Sequence, residues 1–105
     1  MIYHITTPGE YSKFETKNYF RPLSLDSDGF VHCSTLKQYK ATIERYFSEV
    51  QEIIILQIDE GKLKSTLKYE LSKTGEKFPH IYGGINREAI IEAKKYSQWR
   101  GSFDL

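Results

Sequence analysis

The segment Glu52-Ile53-Ile54-Ile55-Leu56-Gln57-Ile58-Asp59 carries four consecutive apolar residues between charged ends. A short apolar run of this kind is typical of a strand that is covered on both faces. We therefore predict a central β-strand over residues 52–59, against which the rest of the chain packs.

Two helix start signals precede this strand. Thr7-Pro8-Gly9-Glu10 and Thr35-Leu36-Lys37-Gln38 each place Thr at an N-cap position with Glu or Gln three residues later, and the first adds proline at the first helical position. Apolar residues continue with a helical period behind the second signal. We therefore predict the longest helix over about residues 36–49.

Turn residues and alternation of apolar with polar residues divide the rest of the chain into short pieces. The predicted pieces are a first strand over 1–6, an extended segment over 19–25, a turn over 26–29, a strand over 30–34, a half-buried strand over 67–71, a turn over 72–77, an irregular segment over 78–84, a single turn capped by Asn86 and a last strand over 89–96. No βαβ period repeats, so the pattern predicts an α+β fold. At 105 residues we expect one domain over 1–105.

Composition narrows the class of protein. Fifteen basic and fourteen acidic residues give a formal net charge of +1. This charge is too small to attract a polyanion such as long DNA to the protein as a whole. The single cysteine cannot form an intramolecular disulfide, which favours a reducing compartment. The longest apolar run is too short to span a bilayer, and the first residues do not resemble a signal peptide. We therefore expect a soluble cytoplasmic protein with no membrane partner.

Each of the three histidines is followed two residues later by a hydroxyl side chain. The pairs are His4 with Thr6, His32 with Ser34, and His80 with Tyr82. Side chains two apart on a strand point to the same face. We therefore predict one cleft that gathers the three imidazoles, with His4, His32 and His80 as the catalytic candidates.

Further residues extend this candidate site. Ser34 and Thr35 lie where a predicted strand runs into a predicted helix, and the free N–H groups of a helix start favour phosphate. Glu70 is the one acid on the polar face of the strand over 67–71, and Arg21 is a cation next to a proline. For each of these two residues there are two interpretations: a contact to a ligand, or a solvated charge at the surface. The predicted substrate-binding set is Thr6, Arg21, Ser34, Thr35, Glu70 and Tyr82.

Two other chemistries start from the same residues. Cys33 follows His32 directly, but neighbours on a strand point to opposite faces, so we expect Cys33 to be a small buried residue and not a nucleophile. Three histidines can also hold zinc with one open position. No HxH or HExxH spacing supports such a site. No metal is expected, and a histidine–metal hydrolase stays an alternative.

Three motifs together resemble a known family: Met1-Ile2-Tyr3-His4-Ile5-Thr6-Thr7, Gly29-Phe30-Val31-His32-Cys33-Ser34-Thr35 and Phe78-Pro79-His80-Ile81-Tyr82-Gly83. In this order they resemble domain-of-unknown-function family 952 over almost the whole chain. This small, largely bacterial family is held to have an ADP-ribosyltransferase-like fold. The resemblance implies split, strongly bent antiparallel sheets with a few short helices around an NAD cleft.

The resemblance also implies roles for single residues. His4 is similar to the first-strand residue that grips the nicotinamide ribose, although Ile5 stands where glycine is usual. The second motif of the superfamily places Ser, Tyr or His on a strand before a helix, and the stretch from His32 to Thr35 is similar to it. His80 occupies the stretch in which the superfamily normally presents a glutamate that polarises the ribose hydroxyl. RNA 2′-phosphotransferases of the superfamily lack this glutamate and still use NAD.

We therefore carry two hypotheses besides the metal hydrolase. In the first, the protein binds NAD or a related nucleotide and transfers an ADP-ribosyl group or a 2′-phosphate. His4 then holds a ribose, and Ser34 and Thr35 hold phosphate. His80 replaces the usual acid, a role that suits an imidazole with an ordinary pKa of about 6.5. In the second, a non-catalytic module binds a nucleotide or a small anion in the same cleft.

Overall fold

Nine β-strands and three α-helices form the fold in a computed structural model, which describes residues 1–105. The strands are β1 Ile2–Thr6, β2 Tyr19–Phe20, β3 Val31–His32, β4 Glu52–Ile58, β5 Thr66–Leu71, β6 Lys77–Tyr82, β7 Ile85–Asn86, β8 Ile90–Trp99 and β9 Ser102–Phe103. The helices are α1 Pro8–Ser12, α2 Leu23–Asp28 and α3 Tyr39–Tyr46, and 3-10 turns cover Glu60–Lys62 and Arg87–Ala89. None of the helices has the length and apolar character needed to cross a membrane.

Strand β4 is central, as its apolar run predicts. It lies between β1 and β8 in an antiparallel sheet of order β1-β4-β8-β9. Successive side chains of β4 enter different apolar clusters: Leu56 and Ile58 join the larger one, whereas Ile53 and Ile55 join a smaller one beneath α3. Both faces of this strand are therefore covered, which explains its continuous apolar sequence.

A second sheet of order β3-β6-β5 is joined to the first through the segment that follows β3. The Cys33 N–H still donates to the Pro79 carbonyl on β6, at 3.0 Å. One residue later, Ser34 exchanges two backbone hydrogen bonds of 2.8 Å with Tyr3 on β1. The chain thus leaves one sheet and enters the other within two residues. The result is an α+β fold of curled antiparallel sheets with few helices.

The first helix signal is confirmed and the second is only partly so. Thr7 caps α1 by accepting from the Glu10 N–H at 3.3 Å, with Pro8 at the start of the helix. At the second signal the Gln38 side chain accepts from the Thr35 N–H at 3.0 Å, but residues 36–38 form a turn and α3 begins at Tyr39. The predicted helix over 36–49 is therefore too long at both ends.

The prediction of an extended segment over 19–25 and a turn over 26–29 is wrong after β2. Helix α2 occupies most of this stretch, with Pro22 before its first residue and Gly29 after its last. Gly29 adopts the left-handed conformation, φ 83°, and its N–H donates to the Leu25 carbonyl. Proline before and glycine after a segment favour a helix, and the acidic residues between them obscured this signal.

The segment over 78–84 is more regular than predicted. It contains β6, in which Pro79 pairs with Tyr69 of β5 while its carbonyl accepts from Cys33. The Pro79 nitrogen, which carries no hydrogen to donate, therefore faces the residues at which the chain leaves β3. The pairing of β3 with β6 ends there, so no backbone donor is needed. Downstream, Asn86 does precede a single 3-10 turn, but its side-chain oxygen accepts from the Lys64 N–H instead of capping that turn.

Candidate functional site

The densest cluster of reactive side chains lies on the outer face of the β3-β6-β5 sheet. The antiparallel register aligns His32, His80 and Lys68 in one row across the three strands. Their sequence neighbours Val31, Ile81 and Leu67 point to the opposite face and pack in the larger apolar cluster. The alternation of the three strands therefore directs imidazole and ammonium groups outward over an apolar support.

The His80 imidazole is fixed by a carboxylate from the adjacent strand. Its Nδ1–H donates to Oε1 of Glu70 at 2.8 Å, and its side chain is 14% exposed. The Tyr82 hydroxyl donates to the same oxygen. With Nδ1 committed to a carboxylate, neutral His80 carries its lone pair on Nε2, as a proton acceptor requires.

The two contacts also set the charge of Glu70 and Tyr82. The hydrogen bond from Tyr82, and then that from His80, lowers the pKa of Glu70 below its ordinary value. The same hydrogen bond raises the pKa of Tyr82 because it stabilises the protonated phenol. Glu70 is thus an ionised acceptor at neutral pH. Its second oxygen, Oε2, makes no hydrogen bond within the protein.

The second imidazole has a carboxylate partner of its own. His32 Nε2–H donates to Oδ2 of Asp28, the last residue of α2, at 2.7 Å. Phe30 stacks on the His80 ring with centroids 4.0 Å apart and lies 4.6 Å from the His32 ring. The two imidazole centroids are 5.5 Å apart. Two oriented imidazoles therefore share one aromatic neighbour at the surface.

We call this cluster the imidazole surface. Its members are Asp28, Phe30, His32, Lys68, Glu70, His80 and Tyr82. Lys68 adds a positive charge, with Nζ 5.0 Å from the centroid of the Tyr82 ring. The surface offers a fixed proton acceptor, an ionised carboxylate and an ammonium group to a polar ligand.

His4 does not belong to this surface, so the prediction of a cleft shared by three imidazoles is wrong. Its side chain is buried, and Nδ1–H donates to the His32 carbonyl at 2.6 Å. Nε2 has no partner, and the ring lies 5.9 Å from that of Phe20. Burial lowers the pKa of His4. Neutral His4 joins the two sheets because its acceptor lies at the crossover between them.

The predicted phosphate site at the strand–helix junction uses its polar groups internally. Ser34 is 2% exposed and its hydroxyl shares a 2.8 Å hydrogen bond with the hydroxyl of Thr42 on α3. The Thr35 N–H is occupied by Gln38. The expectation that His32 and Ser34 share a face is wrong, because the chain changes sheets between them.

The other predicted residues are divided between locations. Thr6 is buried and donates to Oε1 of Glu10 at 2.8 Å. Arg21 is exposed and lines a cavity beside α1 and β2. Glu70 and Tyr82 are the two members of the predicted binding set that join His32 and His80. Their roles toward a ligand stay predictions.

Three members of the imidazole surface are not among the residues predicted from the sequence. Asp28 precedes His32 by four residues, Phe30 precedes it by two, and Lys68 precedes Glu70 by two. Strand alternation alone signals Phe30 and Lys68. Asp28 requires helix α2, since the helix end returns its carboxylate to the strand that follows.

Cys33 is buried, as expected, and burial raises the pKa of its thiol, so the nucleophilic thiolate is disfavoured.

The alternative of a three-histidine zinc site has no geometric support, because His4 points into the core while His32 and His80 point outward. The chain contains no group of three or more His, Cys, Asp or Glu side chains arranged to hold a metal ion.

Comparison with known proteins places the chain in a family. The model of the family described as "Protein of unknown function (DUF952)" matches residues 5–93. The chain belongs to the DUF952 family. The matched range contains every residue of the imidazole surface, and no curated protein matches this DUF952 chain.

Solved structures with the same fold come from Caulobacter crescentus. Crystal structures of protein CC0527 and of its double mutant each superpose with a TM-score of 0.88 at 24% identity, covering 99% of this chain and 93% of the other. A solution NMR structure of CC0527 gives a TM-score of 0.81 at 23% identity, with 97% and 89% covered. At this identity the likeness establishes the fold that the DUF952 protein shares with CC0527.

Proposed function

We propose that this DUF952 protein binds NAD or a related nucleotide at the imidazole surface and transfers an ADP-ribosyl or 2′-phosphate group. The observation that carries the proposal is the Glu70 carboxylate held beside His80 by two hydrogen bonds. The sequence motif around His80 contains no acid, and strand β5 supplies one from outside that motif. The split, curled antiparallel sheets support an ADP-ribosyltransferase-like relationship as part of the same proposal.

The residues fit a nucleotide by their chemistry. Oε2 of Glu70 is available to accept a hydrogen bond from a ribose hydroxyl. The Lys68 ammonium suits a phosphate oxygen, and His32 adds a ring nitrogen that Asp28 does not use. Phe30 and Tyr82 provide aromatic surface beside these polar groups. A carboxylate and an ammonium on one face match the hydroxyls and phosphates of a nucleotide.

In the transfer, His80 is the proton acceptor. When bound, NAD supplies a ribose carbon whose bond to nicotinamide breaks, the electron pair leaving with nicotinamide while a lone pair of the acceptor forms the new bond. Nε2 of His80 takes the proton that the acceptor loses. Glu70 holds the imidazole in the tautomer that leaves Nε2 free, and its negative charge stabilises the imidazolium that results.

The test combines binding with product formation. NAD, ADP-ribose and AMP are titrated into the protein by calorimetry, and nicotinamide release is followed with and without a 2′-phosphorylated RNA. Glu70→Gln should lower NAD affinity by about tenfold, since a hydrogen bond to a charged group is worth roughly 1.5–3 kcal/mol. It should also abolish release. The matched control is Glu76→Gln, an exposed acid in the turn between β5 and β6.

Three results are decisive. NAD binding with nicotinamide release supports the transferase. Binding of NAD or AMP without release supports the non-catalytic module, in which the imidazole surface only recognises a nucleotide. If the wild-type protein binds none of the three nucleotides, the proposal is wrong.

We also propose a cytoplasmic location. It rests on the single cysteine, which is buried and has no partner for a disulfide, and cell fractionation checks it.

A further inference from the structure

We propose that a second site, separate from the imidazole surface, binds a small anion that carries a ring-sized apolar body. The site is a cavity of about 130 Å³ between α1, β2 and the start of α2. Its lining residues are Glu10, Lys13, Phe14, Lys17, Tyr19, Phe20, Arg21 and Leu23. We call this cavity the cationic pocket. The proposal does not depend on nucleotide binding at the imidazole surface.

The floor of the cationic pocket is aromatic. Phe14 and Phe20 are almost fully buried and pack edge to face with centroids 5.7 Å apart. Tyr19 and Leu23, at the rim, are 40% and 68% exposed. A cavity of about 150 Å³ lined by apolar side chains accommodates benzene. The pocket is slightly smaller than that cavity but opens to solvent, so a ring can enter it in part, and its exposed rim leaves apolar surface for a ligand to cover.

The charge around the pocket is unbalanced. Lys13, Lys17 and Arg21 line it, and none of them forms a salt bridge within the chain. The only acid in the lining is Glu10, whose two oxygens accept from the Thr6 hydroxyl at 2.8 Å and the Leu23 N–H at 3.0 Å. Three cations thus face one engaged carboxylate, in a protein whose net charge is only +1.

A neighbouring arginine holds the loop that carries these cations. The Arg87 guanidinium donates to the carbonyls of Phe14 at 2.9 Å, Glu15 at 3.2 Å and Lys17, and lies 4.1 Å from the centroid of the Phe14 ring. All three hydrogen bonds come from Nη2, and Arg87 does not line the cationic pocket, so it does not compete for the ligand. The backbone of the loop is fixed before binding, which reduces the entropy cost of association.

The absence of a side chain at Gly84 lets β2 approach β7 closely. A Cβ atom there would lie 3.1 Å from Cβ of Tyr19 and 3.2 Å from Cγ of Arg21. A side chain at residue 84 would therefore crowd Tyr19 and Arg21 at the edge of the pocket. The ligand that fits an aromatic floor below three cations is an aromatic or alicyclic carboxylate or phosphate.

Phenyl phosphate and phenylacetate are the probes for this site. Each is titrated at low ionic strength into isotope-labelled protein, and amide shifts locate binding by NMR. Inorganic phosphate lacks the ring, and benzylamine reverses the charge. We expect shifts at residues 13–23 with either aromatic anion, weaker binding of inorganic phosphate and none of benzylamine. Shifts confined to residues 28–32 and 66–82 would assign the probe to the imidazole surface and overturn the proposal.

Charge variants sharpen the test. Lys17→Gln and Arg21→Gln should each weaken phenyl phosphate about threefold, and the double variant about tenfold, as expected for partly exposed ionic contacts. Lys37→Gln is the matched control, because it removes an exposed lysine from the turn before α3. Equal weakening in the control would show that only net charge matters, and the pocket would not be a site. All variants should keep the wild-type melting temperature, since none of these cations has an ion-pair partner.

Discussion

His4 and His80 have the same local sequence pattern and opposite environments. Each precedes a hydroxyl residue by two positions on a strand, and each donates through Nδ1. His4 faces the core and bonds to a backbone carbonyl, whereas His80 faces outward and bonds to a carboxylate. The difference arises because the polar face of β1 is covered by the core and that of β6 is open. Where both residues lie in one strand, histidine–hydroxyl spacing thus predicts that the side chains share a face, while the covering of that face separates a structural histidine from a candidate functional one.

Removing each imidazole is the strongest way to test this comparison. His4→Ala should cost about 2–4 kcal/mol of unfolding free energy, because it opens a cavity in the core and leaves the His32 carbonyl without its donor. His80→Ala should cost about 1 kcal/mol or less, as expected for the loss of one partly exposed side-chain hydrogen bond. Denaturant unfolding measures both values. Equal losses in the two variants would contradict the division between core and surface.

The junction after β3 provides a smaller contrast within one strand. Ser34→Ala should destabilise the protein by about 1 kcal/mol, since it removes the part-buried hydrogen bond to Thr42, whose hydroxyl keeps only the Gln38 carbonyl as its partner, at 3.2 Å. His32→Ala should leave stability close to that of the wild type, because its side chain is 55% exposed. The single variants have to be compared in thermal unfolding, as a double variant would mix the two roles. A large loss for His32→Ala would assign that residue to the architecture.

The buried histidine also predicts the pH dependence of stability. The pKa of His4 is lowered on folding from 6.5, so below that pH the unfolded state binds the extra proton. Stability is therefore complete above pH 6.5 and falls as the pH decreases toward the folded pKa, by at most about 1.4 kcal/mol per pH unit. His4→Asn keeps an N–H donor without titrating and should flatten this part of the profile. An unchanged slope in His4→Asn would assign the acid sensitivity to other groups.

The smallest effect concerns the surface pair of Glu70 and Tyr82. The hydrogen bond between them raises the pKa of Tyr82 above 10.0, so this phenol should ionise later than an exposed tyrosine. Glu70→Gln should bring the pKa of Tyr82 back toward 10.0.

Glu70 itself predicts an effect at acidic pH. Its pKa is lowered in the folded protein, so its stabilising contacts persist above pH 4.5 and are lost as the pH falls through the folded value. NMR titration of the Tyr82 ring and the Glu70 carboxyl measures both shifts; an ordinary pKa for Tyr82 would show that the pair does not form.

Sequence patterns predicted the elements whose signals are local. The apolar run over 52–59 predicted β4, and the sequence Thr7-Pro8-Gly9-Glu10 predicted the start of α1, because capping and burial on both faces depend on adjacent residues. Helix α2 was missed since its six residues contain one buried side chain, Leu25, and no apolar period. The predicted site was recovered in part: His32, Glu70, His80 and Tyr82 meet, while His4, Thr6 and Ser34 are inside the protein.

The amino-acid sequence alone determined the period of each strand, and with it that His80 and Tyr82 point the same way. The sequence also determined that Cys33 points away from His32, since alternation is a property of the backbone. Only the tertiary structure decided that Glu70 lies beside His80 and that His4 lies in the core. Strand order and sheet crossover bring residues together over long sequence separations, and packing then excludes water from one polar face and leaves the other in solvent.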